Sequence, residues 1–185
     1  MPGLYTGKGD AGTTKIFTSK ERISKDSPVI EALGSLDELN SFLGICKVLS
    51  YEKKLKLESD LLGDIIHAIQ KDLFIVQAEL AGSEMTISRK KVESLEALIA
   101  KVEKIIPPIK TFRIAGGTEL AAHFDVARTA VRRAERRVVG AGEKGNKVGL
   151  DTLAFLNRLS SVFYAFARLV NDQEKIIEPS PDYSL

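Results

Sequence analysis

Three arginines spaced four residues apart are the most chemically loaded feature of the sequence. Arg128, Arg132 and Arg136 lie within residues 119–140, ELAAHFDVARTAVRRAERRVVG, and on a helix that interval stacks three guanidiniums along one face. Like charges so placed repel by ~0.2–0.5 kcal/mol per pair, so nothing about folding recommends them. A polyanion reverses the sign. Arg133 and Arg137 add to the excess, and Asp125 and Glu135 offset only part of it. The bland alternative is a solvated basic face whose aliphatic stems cover apolar neighbours. A second candidate is residues 6–14, TGKGDAGTT. Gly7, Gly9 and Gly12 leave backbone amides open to close approach, and Thr6, Asp10, Thr13, Thr14, Lys8, Lys15 and Lys25 surround them with polar groups. Amides, hydroxyls and ammoniums are what a phosphate chain needs. The stretch is not a P-loop, because Thr13 stands where the lysine belongs, no apolar strand precedes it and no βαβ unit follows. A Gly/Thr-rich loop by itself describes a flexible terminus equally well.

The inventory is otherwise poor in acid and base candidates. Asp64 and His67 form an acid-x-x-His pair, but a di-iron bundle needs two such pairs and two further carboxylates. His123 is preceded by Glu119 at four residues rather than three, so the metal reading fails on count. With Cys46 as the single cysteine and two histidines, neither an internal disulfide nor a four-ligand zinc site is available. A formal net charge of +2 over 185 residues is too mild for a chain that coats nucleic acid, and the absence of Trp removes the best stacking residue. Any basic site is therefore local. No apolar run approaches the ~20 residues of a bilayer span, and the N-terminus has no signal-peptide core. The expectation is a soluble chain in the reducing cytoplasm, with no nucleic-acid and no membrane partner.

The elements that must position these groups are helices. Ala32, Leu36, Leu39, Leu43 and Cys46 set one apolar stripe from Pro28 onward, with Asp37, Ser41 and Gly44 in a polar line beside it. Leu62, Ile66, Ile69, Leu73, Val76 and Leu80 set a second over residues 59–81; Val92, Leu95, Ile99 and Val102 a third over 88–105, which Pro107 and Pro108 end. The arginine helix carries its own stripe at Leu120, Phe124, Ala127, Val131, Ala134 and Val138. Residues 140–149, GAGEKGNKVG, read as a loop, and Asp151 as the cap of a last helix with Leu153, Leu156, Phe163, Ala167 and Val170 inward. Asn157, Tyr164 and Arg168 share another side of it. The two glycines of TFRIAGG, residues 111–117, require either a conformation closed to β-carbon residues or a close approach. The spacing thus predicts an all-α, single-domain, up-and-down five-helix bundle over residues 28–171 with no strands. A Gly-rich loop over residues 1–27 precedes it, its donors without partners in the chain, and an aperiodic tail over 172–185, mobile or laid along the surface, follows.

Five motifs in register resemble the PduO-type corrinoid adenosyltransferases: YTGKGDAGTT at residues 5–14, ALGSLDELNSFLG at 32–44, FRIAGG at 112–117, ARTAVRRAER at 127–136 and LNRLSS at 156–161. The resemblance spans nearly the whole chain. It implies the ferritin-like bundle of that family, assembled as a homotrimer with each active site between two subunits. It also implies transfer of the adenosyl group of ATP to cob(I)alamin, with Mg2+ on the phosphates and a reductase or flavoprotein as supplier of cob(I)alamin. By the same resemblance Thr6, Gly7, Lys8, Gly9, Asp10, Gly12, Thr13, Thr14 and Lys25 wrap the triphosphate, and Arg132, Arg133, Glu135, Arg136 and Asn157 complete the ATP site. Asp37 pairs with Arg128 across the interface, Phe112 lies beneath the corrin, and Arg132, Arg128, Asp37 and Phe112 form the catalytic set. Three positions depart from the family pattern. Gly7 precedes Lys8 where a basic residue usually follows the first Thr directly, Ala115 replaces a common proline, and Ser161 a common aspartate. The rival class is a non-catalytic helical bundle that binds a nucleotide or another anionic partner through the arginines.

Overall fold

The computed structural model describes residues 3–17 and 19–183; residues 1–2 of the expected loop, residue 18 and residues 184–185 of the expected tail lie outside these. The chain is an all-α bundle of five helices: α1 (Pro28–Glu52), α2 (Leu62–Leu80), α3 (Arg89–Glu103), α4 (Glu119–Glu143) and α5 (Leu150–Gln173). Each follows from the apolar stripes. Leu36, Leu39, Leu43, Leu62, Ile66, Leu73, Val92, Val102, Leu120, Phe124, Val131, Val138 and Leu156 have no exposed surface at all. Pro28 opens α1, where its fixed φ is already helical and its missing N–H costs nothing. Thr118 caps α4, its hydroxyl oxygen accepting from the amide of Ala121.

α4 packs against α5 on one side and α1 on the other; α2 lies outside α1, and α3 outside α5. Phe124 of α4 meets Phe163 and Phe166 of α5, with ring centroids 5.6–6.2 Å apart within the trio. α5 has the length and mean apolar composition of a membrane span, although Asn157, Arg158 and Arg168 interrupt its apolar runs. Most of that window, 67%, is buried between its neighbours, so its apolarity is that of a central helix.

Three expectations need correcting. Two short antiparallel pairs are present, β1 (Thr13–Thr14) with β2 (Ile23–Ser24), and β3 (Lys56–Leu57) with β4 (Asp60–Leu61), each too brief to leave an alternating pattern. α4 runs on through Gly140, Ala141 and Gly142, because Ala141 is fully buried against the rest of the bundle. The N-cap of α5 is Gly149, which leaves Asp151 in the first turn, where its charge faces the positive end of the helix.

Candidate active site

The arginine run divides into two columns with different fates. Arg133 and Arg137 reach back to α1, with Arg133 Nη2 at 2.5 Å from Glu38 Oε1 and Arg137 Nη2 at 3.9 Å from Glu31 Oε2. Arg128, Arg132 and Arg136 point the other way, along the seam between α4 and the antiparallel α5. Arg136 Nη1 donates to the carbonyl of Arg132 at 3.0 Å. Glu135 accepts from Asn157 Nδ2 at 3.0 Å, and Arg158 Nη1 donates to Asn157 Oδ1 at 2.9 Å. Further along the seam, Arg128 and Arg132 line an open cleft of about 920 Å³ together with Phe112, Ser161 and Tyr164. Lys110 and Arg113 also face it, whereas no carboxylate is among its described lining residues. Four cations around a cleft with no carboxylate among its described lining residues favour an anion. Phe112 stands at the mouth, 81% exposed, an aromatic face that the protein itself leaves uncovered.

Two of the predicted catalytic side chains make no hydrogen bond from the groups that matter among the described residues. Arg128 Nε is buried with no hydrogen-bond acceptor, its nearest carboxylate being Asp125 Oδ1 at 4.0 Å. Asp37 is exposed on α1 and makes no hydrogen bond or ion pair among the described residues. The structure does not bring these two together within one chain.

The glycine-rich segment is a structured hairpin, which corrects the expectation that its donors lack partners. Arg22 organises it, donating from Nε to Thr13 Oγ1 at 2.8 Å and from Nη2 to the carbonyls of Lys8 and Thr13 at 2.5 Å each. The amide of Lys25 bonds the carbonyl of Gly12 at 2.9 Å, and a β-carbon on Gly9 would lie 3.1 Å from Lys25 Nζ. Gly7 and Gly12 have φ of 66° and 74°, so their glycines are conformational requirements. Thr6, Lys8, Asp10 and Lys25 remain exposed, while Thr13 and Thr14 are half-buried by the pairing of β1 with β2. All hydrogen bonds of residues 6–14 described here stay within residues 6–25, and none reaches the arginines of α4.

Sequence reasoning missed what holds the Phe112 segment. Gly117 has φ of 98°, and a β-carbon there would lie 2.5 Å from Asn171 Oδ1, so both requirements anticipated for the glycine pair are met. The tail is neither free nor merely laid down. Ser180 meets Thr111 Oγ1 at 2.8 Å and Arg113 Nη1 at 3.2 Å, and the amide of Ile114 donates to the carbonyl of Pro179 at 3.0 Å. Ser180, Pro181 and Tyr183 thereby become part of the cleft wall. No apolar period marks such a tail, so the sequence carried no signal for its place in the cleft wall.

The likeness to known proteins follows the same ground. A family model described as cobalamin adenosyltransferase matches residues 4–170. Corrinoid adenosyltransferase PduO of Salmonella typhimurium is 37% identical over 172 residues, covering 89% of this chain and 48% of the relative. The chain thus spans about half the length of the PduO relatives of Salmonella and Citrobacter freundii. Corrinoid adenosyltransferase of Bacillus subtilis is 37% identical over 178 residues, covering 94% of this chain and 89% of the relative. A variant of the PduO-type ATP:corrinoid adenosyltransferase from Lactobacillus reuteri, complexed with cobalamin and ATP, superposes with a TM-score of 0.87. It is 32% identical and covers 99% of this chain and 98% of that one. With a family model matched over residues 4–170 and a bundle that superposes over 99% of its length, the chain belongs to the cobalamin adenosyltransferase family.

Proposed function

We propose that the chain transfers the 5′-deoxyadenosyl group of ATP to cob(I)alamin, releasing triphosphate and forming adenosylcobalamin. The observation that carries this reading is the cleft, which sets an exposed aromatic face, Phe112, beside Arg128 and Arg132 with no carboxylate on its described lining. Cobalt(I) is itself a strong nucleophile. Its electron pair forms the bond to the 5′ carbon while the carbon–oxygen bond to the triphosphate breaks, so no proton has to move. The protein must align the reacting atoms and stabilise charge growing on the leaving group, which is positioning plus electrostatics. Arg132, Arg136 and Lys25 supply that charge, with the amides and hydroxyls of Thr6, Gly7, Lys8, Gly9, Asp10, Gly12, Thr13 and Thr14 along the phosphates. Glu135 and Asn157 hold each other on the same seam and offer a polar edge to the nucleoside. Arg133, tied to Glu38, serves this site through its charge more than through direct grip. Mg2+ arrives on the nucleotide, where phosphate oxygens and water provide most of its ligands.

The site is completed between subunits of a homotrimer. Support comes from Arg128 Nε, which lacks a hydrogen bond and has only a 4.0 Å ion pair, from Asp37, which is complementary to it in charge, and from a loop none of whose described hydrogen bonds reaches the arginines. Such heterologous completion across a closed ring is ordinary in oligomers. Phe112 lies beneath the corrin. Delivery of cobalt in its lowest oxidation state needs an electron donor, and a reductase or flavoprotein is the partner class that fits. The single cysteine, unpaired and buried, suits the reducing cytoplasm.

The test is anaerobic incubation with Mg-ATP and chemically reduced cobalamin. Formation of the light-sensitive adenosylcobalamin spectrum with release of one triphosphate per cobalamin is expected. ATP binding without that spectrum would favour the non-catalytic bundle.

A further inference from the structure

Directly behind the cleft lies a buried charge cluster that none of the family motifs and none of the roles above uses. Its centre is Arg168 of α5, whose side chain is 3% exposed. Arg168 Nη2 donates to Asp125 Oδ2 at 2.8 Å, and Arg168 Nε lies 2.6 Å from Glu178 Oε1 as an ion pair without hydrogen-bond alignment. Its guanidinium carbon sits 5.0 Å from the ring centroid of Tyr164, whose other surroundings belong to the cleft wall. Each partner of Arg168 continues to a group that shapes the cleft. Asp125 Oδ2 also accepts from the amide of Gly116, and Asp125 Oδ1 is the nearest carboxylate to Arg128. Glu178 Oε1 also accepts from Asn171 Nδ2, which donates in turn to the carbonyl of Gly116 at 2.8 Å.

We propose that Arg168 is a positioning residue for the corrinoid half of the reaction. Through Asp125 it orients Arg128 and the Phe112 segment, and through Glu178 it fastens the tail that completes the wall. Charge and burial both require this arrangement to be held as a unit. One buried guanidinium is flanked by two carboxylates that are themselves 6% and 14% exposed, and losing either contact leaves a buried ion short of a partner. The tail has little else to hold it. Ile176, Ile177, Pro179 and Ser180 are exposed, so its position comes from polar contacts and not from apolar burial. Lysine does not replace Arg168, because one ammonium nitrogen cannot stand beside Asp125 and Glu178 at once as two nitrogens of the planar guanidinium do.

The inference rests on the adenosyltransferase reading and is tested separately from it. Glu178→Gln keeps the shape of the tail residue and removes its charge, at a site too peripheral to unfold the bundle. The expected result is a Michaelis constant for cob(I)alamin raised about tenfold, the usual size of a lost charged hydrogen bond, with that for ATP within twofold of the parent. Amide exchange at Ile114 and Gly116, read by mass spectrometry on the free protein, should quicken over residues 109–117 while α1 and α2 keep parental protection. Arg168→Lys should give the same two changes, and the double variant should be no worse than either single one. Parental exchange over residues 109–117, or faster exchange with a parental Michaelis constant for cob(I)alamin, would overturn the proposal. So would a parallel rise in both Michaelis constants accompanied by loss of protection throughout the bundle, since that describes a stability defect. A parental protein that makes no adenosylcobalamin fails the function itself, an outcome distinct from all of these.

Discussion

Arg132 sits in the middle of the outward arginine column, and among the described residues it has no salt-bridge partner to share its charge. Arg132→Lys keeps that charge and loses the planar fork that grips two oxygens at once. If its grip tightens as the triphosphate departs, the maximal rate falls about 100-fold while the Michaelis constant for ATP changes little. Steady-state kinetics with both substrates varied, with helical content as the folding control, would show it; parental constants would return Arg132 to the solvated-face reading. Cys46 gives a second prediction at this scale. Burial pushes its thiol up to about 12 from an ordinary 9.0. Since the folded value is the raised one, the native state is undisturbed below the unfolded value and loses stability as pH climbs from about 9 towards 12. At pH 8 a thiol reagent should label Cys46 in urea and leave the native chain unmodified for hours; rapid labelling of folded protein would mean the helix α1 core opens readily. The arginine column was legible in the sequence because spacing alone put it on one face. Arg22, Asp125 and Arg168 were not, since each acts through partners 9 to 43 residues distant that no local period reveals.

Helices were read correctly wherever an apolar stripe ran without interruption, as in α2, where Leu62, Ile66, Ile69, Leu73, Val76 and Leu80 all proved buried. Boundaries failed where tertiary contacts decided them. Gly140 and Gly142 look like loop residues, yet the burial of Ala141 continues the helix through both. The start of α5 also depends on a distant group. Glu79, 5% exposed on α2, accepts from the amide of Gly149 at 2.6 Å, from Thr152 Oγ1 at 2.5 Å and from Thr86 Oγ1 at 3.0 Å. Its carboxylate thus neutralises the positive end of α5 and ties α2, α5 and the connection before α3 together. Glu79→Ala should cost about 2–4 kcal/mol of stability in urea unfolding, because three donors, that of Thr152 buried, lose one charged acceptor. A change under about 0.5 kcal/mol would show that water replaces the carboxylate freely. The segment before α4 carries the complementary prediction. Gly117→Ala meets both a forbidden φ of 98° and the Asn171 side chain, a strain of about 1–3 kcal/mol in the loop that bears Phe112. Cob(I)alamin use should suffer more than ATP binding, and equal losses for both substrates would contradict the placement of that loop.

For the molecule as a whole, the mild charge of +2 concealed a concentrated one, since four cations converge on a single cleft. The bundle itself was legible, as was the existence of a loop and an arginine face; how those two meet was not, because among the described residues no hydrogen bond or ion pair joins them within one chain. A trimer resolves this, and sedimentation should give three times the 20.3 kDa chain mass. The decisive measurement asks whether loop and arginines from different chains make one site. Lys25→Ala and Arg132→Ala chains, each expected to be at least about 100-fold impaired alone, are co-expressed and purified as mixed assemblies. If each site takes its loop from one subunit and its arginines from the next, random assortment in a closed trimer leaves about one quarter of the sites intact. Adenosylcobalamin formation by the mixed protein should therefore recover to about a quarter of the parental rate by that assortment. Activity no greater than that of the two variants measured apart would contradict a site completed between subunits.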